Sequence, residues 1–151
     1  MTREQAFAVA WRALGRRERT EAELRRTLAA KGADPEDADA VLGELKAGGY
    51  VDDAAYARRF AEDRRELDGW GSERIERRLR ALGVDREEVA GVLADRTVQD
   101  ELGSAVALLE RRFPVPPRDP RECERALGVL VRRGYELELA HDAVRRYAAG
   151  A

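Results

Sequence analysis

The sequence predicts an all-α protein built as a repeat: three tandem three-helix units, about nine helices, in an elongated, curved array. Three observations predict it. Helix start and stop signals run along the whole chain. β-Branched residues are few and do not alternate with polar ones, so strand signals are nearly absent. The helix marks also return at a fixed interval: Leu28, Leu79 and Leu130 lie 51 residues apart, as do Gly32, Gly83 and Gly134, and Leu42, Leu93 and Val144. The expected units are residues 1–48, 49–96 and 97–151.

Each unit is expected to close on a helix–stop–helix pair. Thr20 with Glu23, Asp34-Pro35, Asp85 with Glu88, and Asp119-Pro120 supply capping oxygens with glutamate at the third position or proline at the first. Gly32, Gly48-Gly49, Gly83 and Gly134 supply the left-handed stop. A further helix precedes each pair, at about 3–15, 53–68 and 98–113. Their apolar stripes are Phe7, Trp11 and Leu14; Tyr56, Phe60 and Leu67; and Val98, Leu102, Val106, Leu109 and Phe113. One such unit buries little surface alone, so neighbours are expected to stack. The stretch "GGYVDDAAYARRF" from Gly48 to Phe60 then reads as a joint. Its glycines end one helix, Tyr50 packs back on the last turn, and Asp52 or Asp53 caps the next helix.

Composition narrows the function. Of 151 residues, 44% are apolar and 38% charged, which allows a real core with a highly charged surface. No run of eighteen apolar residues and no signal peptide is read, so a cytoplasmic protein without a membrane contact is expected. Cys123 is the only cysteine and His141 the only histidine, which excludes a disulfide framework and a two-histidine metal site. Both fall on or beside helical apolar stripes and read as structural. No phosphate-binding glycine loop is present, and acid pairs such as Asp52-Asp53 and Glu87-Glu88 fall in first turns, where capping explains them. No catalytic, cofactor or metal residue is therefore predicted, and the chain does not read as an enzyme.

What remains is a charge pattern. Net charge is −2, yet residues 16–31 carry six basic and three acidic groups, while 33–53 carry one and seven. The second unit repeats the contrast, with four and two over 71–83 against two and six over 85–101. Segregation of this kind places Arg16, Arg17, Arg19, Arg25, Arg26, Arg58, Arg59, Arg74, Arg77, Arg78, Arg111 and Arg112 on a candidate basic face for phosphates or an acidic protein groove. The competing reading is a solvated surface laced with i,i+4 ion pairs, for instance Glu73 with Arg77. Trp70, in "DGWGS", either clamps a joint between units or stands as an exposed aromatic that meets a base or a partner.

Three segments, in order, resemble the RecX family of bacterial recombination regulators: "RTEAELRRTLAAKG" (Arg19 to Gly32), "GYVDDAAYARRF" (Gly49 to Phe60) and "GWGSERIERRLRALGV" (Gly69 to Val84). The tail from Leu108 to Tyr147 is similar to the family's less distinctive third unit. Ser72 stands where many members have proline, and serine still caps a helix. The chain starts almost at its first helix, without the N-terminal extension that some members carry. The resemblance implies a protein that binds the RecA recombinase, chiefly its filament on DNA, and suppresses its ATPase, strand-exchange and co-protease activities. It implies helical units lying along the filament groove, basic residues near single- or double-stranded DNA, weak or filament-mediated DNA contact, and no catalytic residues. Two rivals stay open: a direct DNA-binding regulator of helix-turn-helix type, and a scaffold for another protein. A monomer is expected, because no heptad seam survives the helix stops.

Overall fold

A computed structural model describes residues 1–150, and among them every regular element is helical. The order is α1 (Arg3–Arg16), α2 (Glu21–Ala30), α3 (Pro35–Ala47), α4 (Asp53–Asp63), α5 (Ser72–Ala81), α6 (Arg86–Ala94), α7 (Val98–Arg112), α8 (Pro120–Arg132) and α9 (Leu137–Ala149). These are nine α-helices among the described residues, matching the predicted helix number.

The starts of α2 and α8 are built as the sequence indicates, whereas Asp34 precedes Pro35 at the start of α3 without a side-chain cap bond. Thr20 and Glu23 form a reciprocal capping box on α2, and Asp119 accepts from the Glu122 amide with Pro120 at the first position of α8. Capping boxes also open α1 through Thr2 and Gln5, and α7 through Thr97 and Asp100. At the joint that precedes α4, the two aspartates divide the work. Asp52 accepts from the Ala55 amide at 3.1 Å, while Asp53 accepts from the Glu21 amide at 2.9 Å and so caps α2. Burial pushes the Asp53 carboxyl above the ordinary range, against the amide that holds its charged form.

By internal packing the chain falls into two compact units, Met1–Arg59 with Leu79–Val89, and Phe60–Arg78 with Ala90–Ala151. In the first, α1, α2 and α3 enclose a core of Ala6, Ala10, Leu24, Leu28, Val41, Leu42 and Leu45. In the second, α7, α8 and α9 enclose Leu102, Ala105, Leu109, Ala126, Leu130, Tyr135, Ala140 and Val144, with Cys123 half-buried against them.

Each unit contains one joint of the same design. In the first, the turn after α5 meets the start of α2: the buried Thr20 hydroxyl donates to the Leu82 carbonyl at 2.7 Å. In the second, the turn after α8 meets the start of α5: the Gly71 amide donates to the Arg133 carbonyl at 2.8 Å and the Glu73 amide to that of Gly134 at 3.0 Å. Gly71 lies 51 residues after Thr20, and Arg133 lies 51 after Leu82, so the repeat governs tertiary contacts as well as helix ends. At both joints a glycine admits the approach. Gly83 and Gly134 have φ of +86° and +95°, and a Cβ would overlap the Cβ of Ala22 or of Arg74.

All three apolar stripes depart from expectation. The last turn of the long helix expected at 53–68 is π-helical over Arg64–Asp68. The extra residue in that turn rotates the stripe, so Leu67, expected on the face of Tyr56 and Phe60, is 73% exposed while Arg64 and Arg65 turn inward. In α1 the buried face is made by Ala6, Ala10 and Ala13, and Trp11 is left 46% exposed. The third stripe departs because Val98, in the first turn of α7, is 71% exposed while Leu102 and Leu109 are buried.

Candidate partner-binding surface

The arginines of the expected basic face divide into two kinds. In the first compact unit most are engaged by their own chain. Arg17 pairs with Glu23 at 2.7 Å and Arg59 pairs with Glu18. Arg25 bridges Asp39 and Glu21, and Arg26 reaches the Ala81 carbonyl at 3.4 Å, beside the joint. Burial pushes the Glu23 carboxyl up, but Arg17 and the Thr20 amide outweigh it and hold the group below the usual range. Arg19 is half-buried. Arg16 and Arg58 are exposed and without an ion pair among the described residues.

In the second unit Arg74 lies over the Trp70 ring, 4.2 Å from its centroid, and donates to the Arg132 carbonyl at 3.3 Å. Trp70 is half-buried, its ring edge-on to Phe60 at 6.0 Å with Arg64 at 5.9 Å. Arg77, Arg78, Arg111 and Arg112 are exposed and have no ion pair among the described residues. Glu73 and Arg77 do not come within pairing distance, so the i,i+4 link read from the sequence is not made. Such links do form at Arg25 with Glu21, Arg64 with Asp68, and Arg118 with Glu122.

Sequence reasoning missed a group of cations that folding brings to Trp70 and its flanking glycines. Arg133 donates to the Asp68 carbonyl beside the Gly69 carbonyl that takes the Tyr135 hydroxyl at 3.0 Å. The π-turn carries Arg64 and Arg65 toward the same region. Burial, then the charge of Arg96, lowers the Arg65 guanidinium from its ordinary value. Its Nε and one terminal nitrogen have no partner among the described residues. The only sequence signal was the arginine pair in "DRRELDGW", which the helical period alone places on the outside.

Among the described residues no three His, Cys, Asp or Glu side chains stand where a metal ion could be held, and His141 is exposed on α9. No helix among them is long and apolar enough to cross a membrane. What the surface offers is charge-assisted contact from cations with no internal partner.

Comparison with known proteins gives this surface its family. The model of the first three-helix domain of RecX matches residues 6–45, and that of the second matches residues 52–93. A protein of Mycobacterium avium described as regulatory protein RecX is 36% identical over 144 residues, covering 93% of this chain and 83% of the relative. The chain belongs to the RecX family. A RecX protein of Deinococcus radiodurans is 38% identical over 148 residues, covering 97% of this chain and 70% of the relative. The crystal structure of RecX from Lactobacillus salivarius shares the fold at 16% identity, with a TM-score of 0.85 over 99% of this chain and 97% of that one. A second RecX crystal structure gives 0.76 at 20% identity, over 95% and 71%. The joints described above thus sit in a fold shared with RecX structures of low sequence identity.

Proposed function

We propose that this chain is a regulator that binds RecA, chiefly as its filament on DNA, and suppresses the filament's ATPase, strand-exchange and co-protease activities. It acts without chemistry of its own, as a cytoplasmic monomer divided into three-helix units at 1–48, 49–96 and 97–151. The observation that carries the reading is the ordered pair of RecX three-helix domains over residues 6–45 and 52–93. Relatives named as regulatory proteins support the same role.

The mechanism follows from repetition and from free charge. Several weak contacts made by linked units act at high effective concentration, so the chain bridges neighbouring subunits more tightly than any one unit binds. Bridging restrains the subunit motions that accompany ATP turnover, and an occupied groove excludes a second DNA strand. Arg77, Arg78, Arg111 and Arg112, exposed without internal acids, supply the salt-sensitive part of the affinity. The engaged arginines Arg17, Arg25 and Arg59 serve the fold.

The test is RecA's single-stranded-DNA-dependent ATPase, titrated with this protein at two salt concentrations. Inhibition well below one chain per RecA, weakened by salt, is the expected result. No inhibition at stoichiometric excess, with filaments present, overturns the reading. Sequence-selective duplex binding without RecA supports a helix-turn-helix regulator instead.

A further inference from the structure

The first compact unit carries a second kind of surface, aromatic rather than basic. Phe7 stacks on Trp11 with ring centroids 5.8 Å apart, and Tyr50 meets Trp11 edge-on at 4.8 Å. Trp11 is 46% and Tyr50 58% exposed, although both belong to the interlocked set. Tyr50 is held in place, since its ring lies against the backbone of Gly48, where a Cβ would sit 2.8 Å away. Rigid aromatics of this kind lose little conformational freedom on binding and are the commonest anchors of protein interfaces.

The patch is not a requirement of the fold. On α4, 51 residues further on, Ala57 and Ala61 are buried as Ala6 and Ala10 are on α1. The counterparts of Phe7 and Trp11 are Arg58 and Glu62. The same helix thus forms and packs without the aromatics.

Two hollows flank Tyr50, one of about 620 Å³ toward Glu4 and Glu44 and one of about 450 Å³ toward Trp11 and Leu14. Glu4 and Glu44 are exposed with no ion pair among the described residues. Arg3, the cation lining the first hollow, is taken by Asp37 at 3.3 Å. An apolar centre rimmed by free carboxylates repels phosphates and complements a cationic, apolar polypeptide.

We propose that Trp11 and Tyr50 anchor this chain to its protein partner, receiving an apolar side chain flanked by lysine or arginine. The inference rests on the regulatory reading, under which the partner is RecA. It deepens that reading by separating a protein-binding patch on the first repeat from the free arginines.

The test compares the unaltered chain, Trp11→Ala, Tyr50→Ala and Glu44→Lys. Affinity is measured for RecA filaments on single-stranded DNA and for the same DNA alone, with thermal unfolding of each variant. The two truncations are expected to weaken filament binding about tenfold or more. Glu44→Lys is expected to weaken it also, by repelling the partner's cation, and all three are expected to unfold within a few degrees of the original. Unchanged filament affinity in both aromatic variants, while the unaltered chain binds, overturns this proposal and leaves the regulatory reading intact. Failure of the unaltered chain to bind filaments overturns both. Equal loss of affinity for free DNA makes the patch a nucleic-acid surface and overturns the choice of partner.

Discussion

Arg77 and Arg59 are the same residue type on exposed helical positions, and the fold gives them opposite duties. Arg59 closes on Glu18, 41 residues earlier, whereas Arg77 and the adjacent Arg78 face solvent without an acid. Replacing Arg77 and Arg78 together with alanine is expected to weaken filament binding and to lower the slope of log affinity against log salt by about one to two. Denaturant unfolding should stay within about 0.5 kcal/mol of the original. Arg59→Ala is expected to do the reverse, costing about 0.2–1 kcal/mol of stability, since the pair is half-exposed, with little change in the salt slope. The charge pattern marked all these arginines in the sequence, but it could not sort them. The acids that engage Arg17 and Arg59 are neighbours only after the turn between α1 and α2 brings Glu18 and Glu23 round. Arg65 was hidden for a different reason, because one π-helical turn shifts the inward face by a residue and no helical wheel shows that.

Among the elements, the joints carry the heaviest single-residue dependence. Gly134→Ala combines a left-handed backbone with overlap on Arg74, and is expected to cost about 2–4 kcal/mol. Thr20→Val removes both the cap of α2 and the hydroxyl that satisfies the Leu82 carbonyl, at a cost of about 1–3 kcal/mol. Urea unfolding reads both, and a loss below about 0.5 kcal/mol in either variant contradicts the joint as described. Helix number, order and the caps at Thr20, Asp52 and Asp119 were legible, because caps and glycine stops are local and the 51-residue step repeats them. The capping boxes at Thr2 and Thr97 were overlooked, and Asp34 caps nothing with its side chain. The docking of each turn on an earlier helix was not legible, since local signals end at the turn. Leu67 and Trp11 failed as core residues for a related reason: periodicity marks an apolar face, while the small alanines of α1 and the π-turn of α4 decide which part of it is covered.

At the scale of the whole molecule, stability should depend on alkaline pH through one phenol. Tyr135 is 2% exposed and donates to the Gly69 carbonyl, and burial pushes its hydroxyl up to about 12. The folded chain therefore keeps a proton that the unfolded chain releases near pH 10, so this contribution is complete below pH 10 and is lost as pH rises toward 12. Its size is about 2–3 kcal/mol. Chemical unfolding from pH 8 to 11.5 should show a falling stability that Tyr135→Phe flattens, and an equal slope in both proteins would remove Tyr135 as the cause. The joints have a further consequence at this scale. Gly83 and Gly134 each rest on a helix start that lies earlier in the chain, while a Cβ on Gly32, their counterpart in the first repeat, would meet nothing within 4 Å. The coupling is therefore directional, with each repeat seating itself on the one translated before it. The turn at Gly134 thus leans on the start of α5 and the turn at Gly83 on the start of α2, while the turn at Gly32 has no such support among the described residues.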